Sequence, residues 1–340
     1  LSIRRQRQMC IRDRYKTMEI VEEGMGELIQ KPDVEEFRKF IRDKKKRTLV
    51  DKVMDEKSAV SEFIKDGDYI GVELYGTVRA PLSIIREIVR QGKRNLRLAG
   101  QGLLEIDYLL AADLVSAMDV TYIGYEVLGL SPIFRRAAES GKVKIVEWSN
   151  AAMAWRFKAA AMGVPFIPVR SMLGSDTFKY SAAKVVKCPF TGIKLCLLPA
   201  LILDVGIIHV HKADKYGNCV IEGISGFAFE MARASKRLIV STEEIVSTDE
   251  IRRYPEKTIV PYFLTDAVVY APFGSHPGEM VYMYERDEEH LRMFLKMCET
   301  EEGTKKYMEE YIYSVKNHEE YLQKIGIEKL MKLKYESMGR

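Results

Sequence analysis

What this sequence has little of narrows its function first. Its 340 residues include only five cysteines, five histidines and two tryptophans, with no Cys-x-x-Cys pair and no regular cysteine spacing. That excludes a disulfide framework and the common zinc modules, and Cys188, Cys196, Cys219 and Cys298 are expected to be free thiols in a reducing cytoplasm. The most apolar stretch, residues 197–208, is interrupted by Pro199 and Asp204 and is shorter than the roughly 18 residues of a membrane span. It reads as buried core, and no membrane is expected as a partner. A Gly-x-Ser-x-Gly elbow, a Walker loop and a His-Glu-x-x-His helix are all missing, so no generic catalytic motif decides the chemistry.

Nor is charge of one sign in excess once its location is considered. The formal net charge is +4, but residues 1–17 hold six of the 53 Lys and Arg and one of the 49 acids, which leaves 47 minus 48, or −1, for the rest. Within that basic segment, MCIRDR resembles a translated sequencing-adaptor read-through. We expect residues 1–17 to be a non-native tail that contributes nothing to folding. The basic run at residues 42–47 closes a predicted helix without interleaved aromatics, so it reads as a solvated surface and no nucleic acid is expected.

What is present is an alternation of helical and extended periods. Helices are predicted over residues 34–45, 57–65, 82–91, 106–118, 131–139 and 151–162, and strands over 69–75, 96–99, 120–123 and 144–146. Further apolar runs at 205–211, 237–241 and 267–271 read as buried strands. Such alternation predicts an α/β fold with an open, mostly parallel sheet covered by helices on both faces. After about residue 285 the chain becomes charged and helical, with Tyr307, Met308, Tyr311 and Tyr321 spaced for one docked face. The expected organisation is therefore the tail at 1–17, one α/β domain at 18–284, and a C-terminal helical arm at 285–340 packed on that domain.

Two local constellations suggest ligands. Gly100-Gln101-Gly102 follows a predicted strand and opens a helix, the context of an anion-binding turn, although Glu105 stands where a dinucleotide fingerprint has Gly or Ala. His209 and His211 are two apart in a strand and so share a face. With no further ligand cluster nearby they read as a hydrogen-bonded structural pair, and no metal is expected.

Longer strings carry a resemblance to a family. Phe134-Arg135-Arg136 with Glu139-Ser140-Gly141, Asp204-Val205-Gly206, Asp249-Glu250-Ile251-Arg252-Arg253, Ala271-Pro272-Phe273-Gly274-Ser275-His276-Pro277 and His318-Glu319-Glu320-Tyr321-Leu322 run in collinear order across about residues 50–335. In these strings the chain resembles the A subunit of the family I coenzyme A transferases, most closely the glutaconate type. The resemblance implies two unlike subunits in a hetero-oligomer, coenzyme A thioesters as substrates, no permanently bound cofactor, and transfer of CoA between an acyl-CoA and a small carboxylic or dicarboxylic acid. It also implies a glutamate nucleophile that forms a glutamyl-CoA thioester, a covalent route that divides one difficult exchange into easier steps. That glutamate belongs to the partner, the B subunit, so no catalytic residue is expected in this chain.

The A subunit of this family is expected to border the reacting acyl group with a Gly-Gly-Phe-type loop after the first strand. The corresponding stretch here is Glu73-Leu74-Tyr75-Gly76-Thr77-Val78-Arg79-Ala80-Pro81. Both glycines are replaced, which removes their conformational freedom and close backbone approach. Glu73, Tyr75, Gly76, Thr77 and Arg79 are the expected pocket residues, and Gly100, Gln101 and Gly102 the expected CoA-binding ones. Glu73 reads either as a relocated acid or base or, the reading adopted here, as a charge paired with Arg79. The altered loop keeps two alternatives open: a CoA-ester or carbon–carbon bond hydrolase on the same fold, and a metabolite-sensing module without chemistry.

Overall fold

The structure is a computed structural model that describes residues 18–72 and 76–338. The basic segment 1–17 and Glu73, Leu74 and Tyr75 lie outside the described residues. In chain order the first half runs β1 (Ile20–Glu23), α1 (Val34–Asp43), α2 (Glu56–Phe63), β2 (Tyr69–Val72), α3 (Leu82–Gln91), β3 (Leu96–Gly100), α4 (Leu104–Ala111), β4 (Val115–Val120), α5 (Pro132–Ser140), β5 (Lys144–Glu147) and α6 (Asn150–Met162). The middle contains β6 (Phe166–Val169), α7 (Asp176–Tyr180), β7 (Lys184–Lys187), β8 (Lys194–Pro199), β9 (Leu203–Asp214), β10 (Cys219–Val220), α8 (Ala228–Arg233), β11 (Ser235–Val246), α9 (Thr248–Arg253), β12 (Thr258–Val260) and β13 (Ala267–Tyr270). Helices α10 (Glu288–Met297), α11 (Glu301–Met308), α12 (His318–Ile325) and α13 (Ile327–Met338) follow.

Local chemistry sets many of these boundaries. Side chains of Asp33, Asp55, Ser131 and Ser149 accept from backbone N–H groups in the first turns of α1, α2, α5 and α6, satisfying donors that a helix leaves open. Gly92, Gly141 and Gly163 end α3, α5 and α6 in the left-handed conformation.

The main sheet places seven parallel strands in the order β13-β11-β9-β2-β3-β4-β5. Strands β10 and β12 add to it antiparallel. Period two splits each strand between two cores. Ile70, Val72, Leu98, Val205, Ile207 and Ile239 face α3, α4 and the arm, whereas Tyr69, Ala99, Ile208, Val210 and Val240 face α6 and α8. The arm enters the first of these cores with Leu291, Phe294, Tyr307, Met308 and Ile312. No described helix is long and apolar enough to cross a membrane.

Two sequence expectations are corrected. The helix expected over 106–118 ends at Ala111; Asp113 turns the chain at φ +57°, and residues 115–120 form β4, with the strand expected at 120–123 displaced accordingly. Ala111 and Ala112 extended the apparent helical period, but pairing of Ala117 to Val120 with both β3 and β5 outweighs it. The second correction is an added four-stranded antiparallel sheet, β1-β7-β8-β6, packed on the α6 side. Its strands are short, half exposed and, in β6, carry Pro168 at a sheet edge, features that hide a strand from periodicity.

Candidate active site

All seven parallel strands end at one edge of the main sheet, where an open α/β sheet offers its ligand crevice. Val72 ends β2 there, and the described chain resumes at Gly76 with φ +63°. Thr77, Val78 and Arg79 then lead to Pro81 and α3. Beside them, a Cβ on Gly100 would lie 2.6 Å from the Val72 carbonyl oxygen, and one on Gly102 would lie 2.8 Å from Ile106. These glycines let the turn after β3 press against the end of β2. Gln101 sits half-buried between them. In the first turn of α4, Oε2 of the buried Glu105 accepts from Leu103 N at 3.3 Å. The helix terminus expected to attract an anion thus already faces a carboxylate of its own chain.

Arg79 is buried, with φ +55°, a left-handed conformation that costs a non-glycine residue free energy and persists only when its surroundings hold it. They do so at several points. Its N–H donates to Glu279 O at 2.9 Å, its Nε to Ile224 O at 3.0 Å and its Nη1 to His209 O at 3.0 Å. Thr77 Oγ1 donates to Glu279 Oε2 at 2.6 Å, and Glu279 N donates to Thr77 O at 3.1 Å. Loop 76–79 is therefore paired with Glu279 along its backbone. Among the expected pocket residues, Gly76, Thr77 and Arg79 come together; Glu73 and Tyr75 are outside the described residues.

His209 and His211 share one face of β9, both buried. His209 Nε2 donates to Glu243 Oε1 at 2.7 Å and Nδ1 accepts from Ser241 Oγ at 2.9 Å. His211 Nε2 donates to Val281 O at 2.8 Å while Nδ1 accepts from Glu222 N at 3.1 Å. Burial lowers the pKa of His211, so its ring is a neutral hydrogen-bonding element. Serine, histidine and carboxylate occur here in the sequence of a hydrolase relay. Their geometry is different in purpose: Ser241 is fully buried, and Glu243 also accepts from Tyr284 OH and from Phe273 and Gly274 N–H. The group fastens residues 272–284 to β9 and β11 and exposes no nucleophile.

A protein-family model for coenzyme A transferase matches residues 53–271. The chain belongs to the coenzyme A transferase family. Within it, the chain is 34% identical to the A subunit of glutaconate CoA-transferase from Acidaminococcus fermentans, over 83% of this chain and 94% of that one. The crystal structure of the glutaconate coenzyme A-transferase from that organism has a similar fold, with a TM-score of 0.81 and 32% identity over 83% of this chain and 95% of the other. The chain is also 34% identical to the A subunit of 3-oxoadipate CoA-transferase from Pseudomonas knackmussii, over 79% and 96% of the two chains. The cholesterol ring-cleaving hydrolase IpdA subunit of Mycobacterium tuberculosis is 28% identical, over 78% and 93%.

For this CoA-transferase chain, sequence reasoning located the loop and missed what holds it. Glu279, Glu243 and Tyr284 received no role, although the string from Ala271 to Pro277 carried part of the family resemblance. Its density of Gly and Pro, continuing through Gly278, was the available signal that backbone there approaches other backbone.

Proposed function

We propose that this chain is the A subunit of a two-subunit enzyme that moves coenzyme A between an acyl-CoA and a small carboxylic or dicarboxylic acid, with the nucleophilic glutamate supplied by the B subunit. The observation that carries the reading is similarity of sequence and fold to the A subunit of glutaconate CoA-transferase over 83% of this chain. That these relatives are each one subunit of a two-subunit enzyme implies the partner. Loop 76–79 and the turn 100–102 then form this chain's wall of the acyl site. In that role Arg79 ties the loop to β9 and to residue 224 through its hydrogen bonds to the His209 and Ile224 carbonyls. Exposed apolar side chains at the same edge, Tyr122, Val127 and Leu130 after β4 together with Ile224 and Tyr282 near Arg79, suit coverage by the partner.

Such a site needs a nucleophile, an oxyanion stabiliser and a cleft that shields the thioester. This chain offers loops for the second and third. Alone it should exchange CoA at less than about a thousandth of the rate of the mixed subunits, because losing the nucleophile of a covalent mechanism leaves only a small residual rate. The test is co-expression with the product of the adjacent reading frame and an acyl-CoA to carboxylate exchange assay. Comparable exchange by the purified single chain would overturn the assignment.

A hydrolase reading is favoured by one observation, the replacement of the loop glycines by Glu73 and Leu74, and the chain is 28% identical to a subunit of a ring-cleaving hydrolase. A partner lacking the glutamate, with release of free acid and no exchange, would select it.

A further inference from the structure

We propose that Arg86, which lies in α3 outside the acyl loop, is a positioning residue for that loop: it fixes the strap formed by residues 272–279, and the strap fixes Gly76 to Arg79. The functional half of this inference rests on the CoA-transferase reading; the mechanical half does not. Arg86 is fully buried. Its Nη1 donates to His276 O at 3.1 Å and its Nη2 to His318 Nδ1 at 3.0 Å, while the guanidinium stacks 3.7 Å from the centre of the Tyr321 ring. His318 in turn donates from Nε2 to Pro272 O at 2.8 Å. One guanidinium therefore holds the strap at two points, directly at residue 276 and through an arm histidine at residue 272.

The strap passes this restraint on. Glu279 carries both backbone bonds and the side-chain bond to Thr77 and Arg79, and a Cβ on Gly278 would lie only 2.1 Å from the Thr77 carbonyl oxygen. Arg79 and Phe273, near opposite ends of the contact, both adopt left-handed φ, +55° and +53°, which requires external support. Among the described residues Arg86 makes no ion pair with a carboxylate, and its Nε has no hydrogen-bond partner. A buried charge is a poor way to gain stability alone, whereas a planar fork joining acceptors on two elements fixes their relative orientation.

Hydrogen exchange on the purified chain tests the mechanical half. Arg86→Met and His318→Leu should accelerate exchange of the Arg79 amide by about tenfold or more, while amides of β9 and β11 stay at parental rates. His318→Gln should remain within about twofold, because its amide can accept from Arg86 and donate to Pro272. In the two-subunit exchange assay, Arg86→Met should lower kcat by about tenfold with KM for the acyl-CoA changed by less than about threefold. Unchanged exchange at Arg79, or equal acceleration throughout the chain, would overturn the proposal, as would an unchanged kcat in a complex whose loop has loosened. If Arg86→Met does not fold, the His318 pair decides, and equal behaviour of Gln and Leu overturns the proposal. A parental complex that exchanges no CoA overturns the transferase reading, and the hydrogen-exchange comparison still stands on its own.

Discussion

Arg156 and Arg86 are both buried and both stacked on an aromatic ring, Arg156 at 3.8 Å from Trp148 and Arg86 at 3.7 Å from Tyr321. Their partners differ. Arg156, in α6, lies 3.1 Å from Asp119 Oδ2; the alignment is too poor for a hydrogen bond from that nitrogen, so the contact is Coulombic. Asp119 also accepts from Tyr69 OH and Trp148 Nε1, which binds β2, β4 and α6 into one group behind the sheet. Arg156 also donates from Nε to Pro199 O, whereas Arg86 has no carboxylate beside it among the described residues, only a carbonyl of the strap and an imidazole of the arm. One region uses its buried charge to close a core, and the other to set the position of a surface loop.

The largest effect expected to separate the two regions comes from acid. Burial lowers the pKa of His276, His290 and His318, and all three lie where the arm meets the body, near Arg86, Asp287 and Lys329. The unfolded chain takes up these protons near pH 6.5, the folded one only at lower pH, so stability present above pH 6.5 is lost as pH falls. The loss approaches about 1.4 kcal/mol per pH unit for each histidine. Hydrogen exchange at pH 7 and pH 5 should therefore show the arm opening before the antiparallel sheet, whose segments from 18 to 26 and 164 to 200 contain no histidine. Simultaneous loosening of both would erase the contrast.

Next in size is Arg156→Leu, which strands Asp119 in the core and should cost about 3–5 kcal/mol in denaturant unfolding. Arg86→Met strands only a carbonyl oxygen and an imidazole nitrogen and should cost about 1–3 kcal/mol. The reverse order would mean that Arg86 is chiefly a stabilising residue. Of similar size is Gly278→Ala, which must push the strap from Thr77 at about 1–3 kcal/mol and lower exchange activity. Gly76→Ala meets no atom within 4 Å of its new methyl group among the described residues and should cost about 1 kcal/mol for its left-handed φ. Equal melting temperatures for the two glycine variants would show that the strap yields freely.

The β2–α3–β3 unit could be read locally because each boundary has a nearby cause. Helix α3 was predicted at its observed limits, 82–91, where Gly92 supplies the left-handed cap. The same reasoning overran at Ala111 and Ala112, where local helical preference gave no sign of the sheet pairing that follows. It also missed β1, β7, β8 and β6, because a strand of four to six partly exposed residues acquires its identity from neighbours distant in sequence. At the site, the loop was found through its resemblance to a family and through Arg79 and Pro81. Glu279, 202 positions from Thr77, was not found.

The sequence by itself determined the alternating βα pattern, the two-faced burial of the parallel strands and membership in the coenzyme A transferase family, because periodicity, caps and collinear strings are properties of neighbouring residues. Only the tertiary structure decided which groups hold loop 76–79. Arg86 reaches His276 across 190 positions and His318 across 232, and no local spacing rule extends that far. Those partners exist because the sheet, the strap and the arm fold onto one another, and a buried guanidinium must take the acceptors that this packing brings within reach.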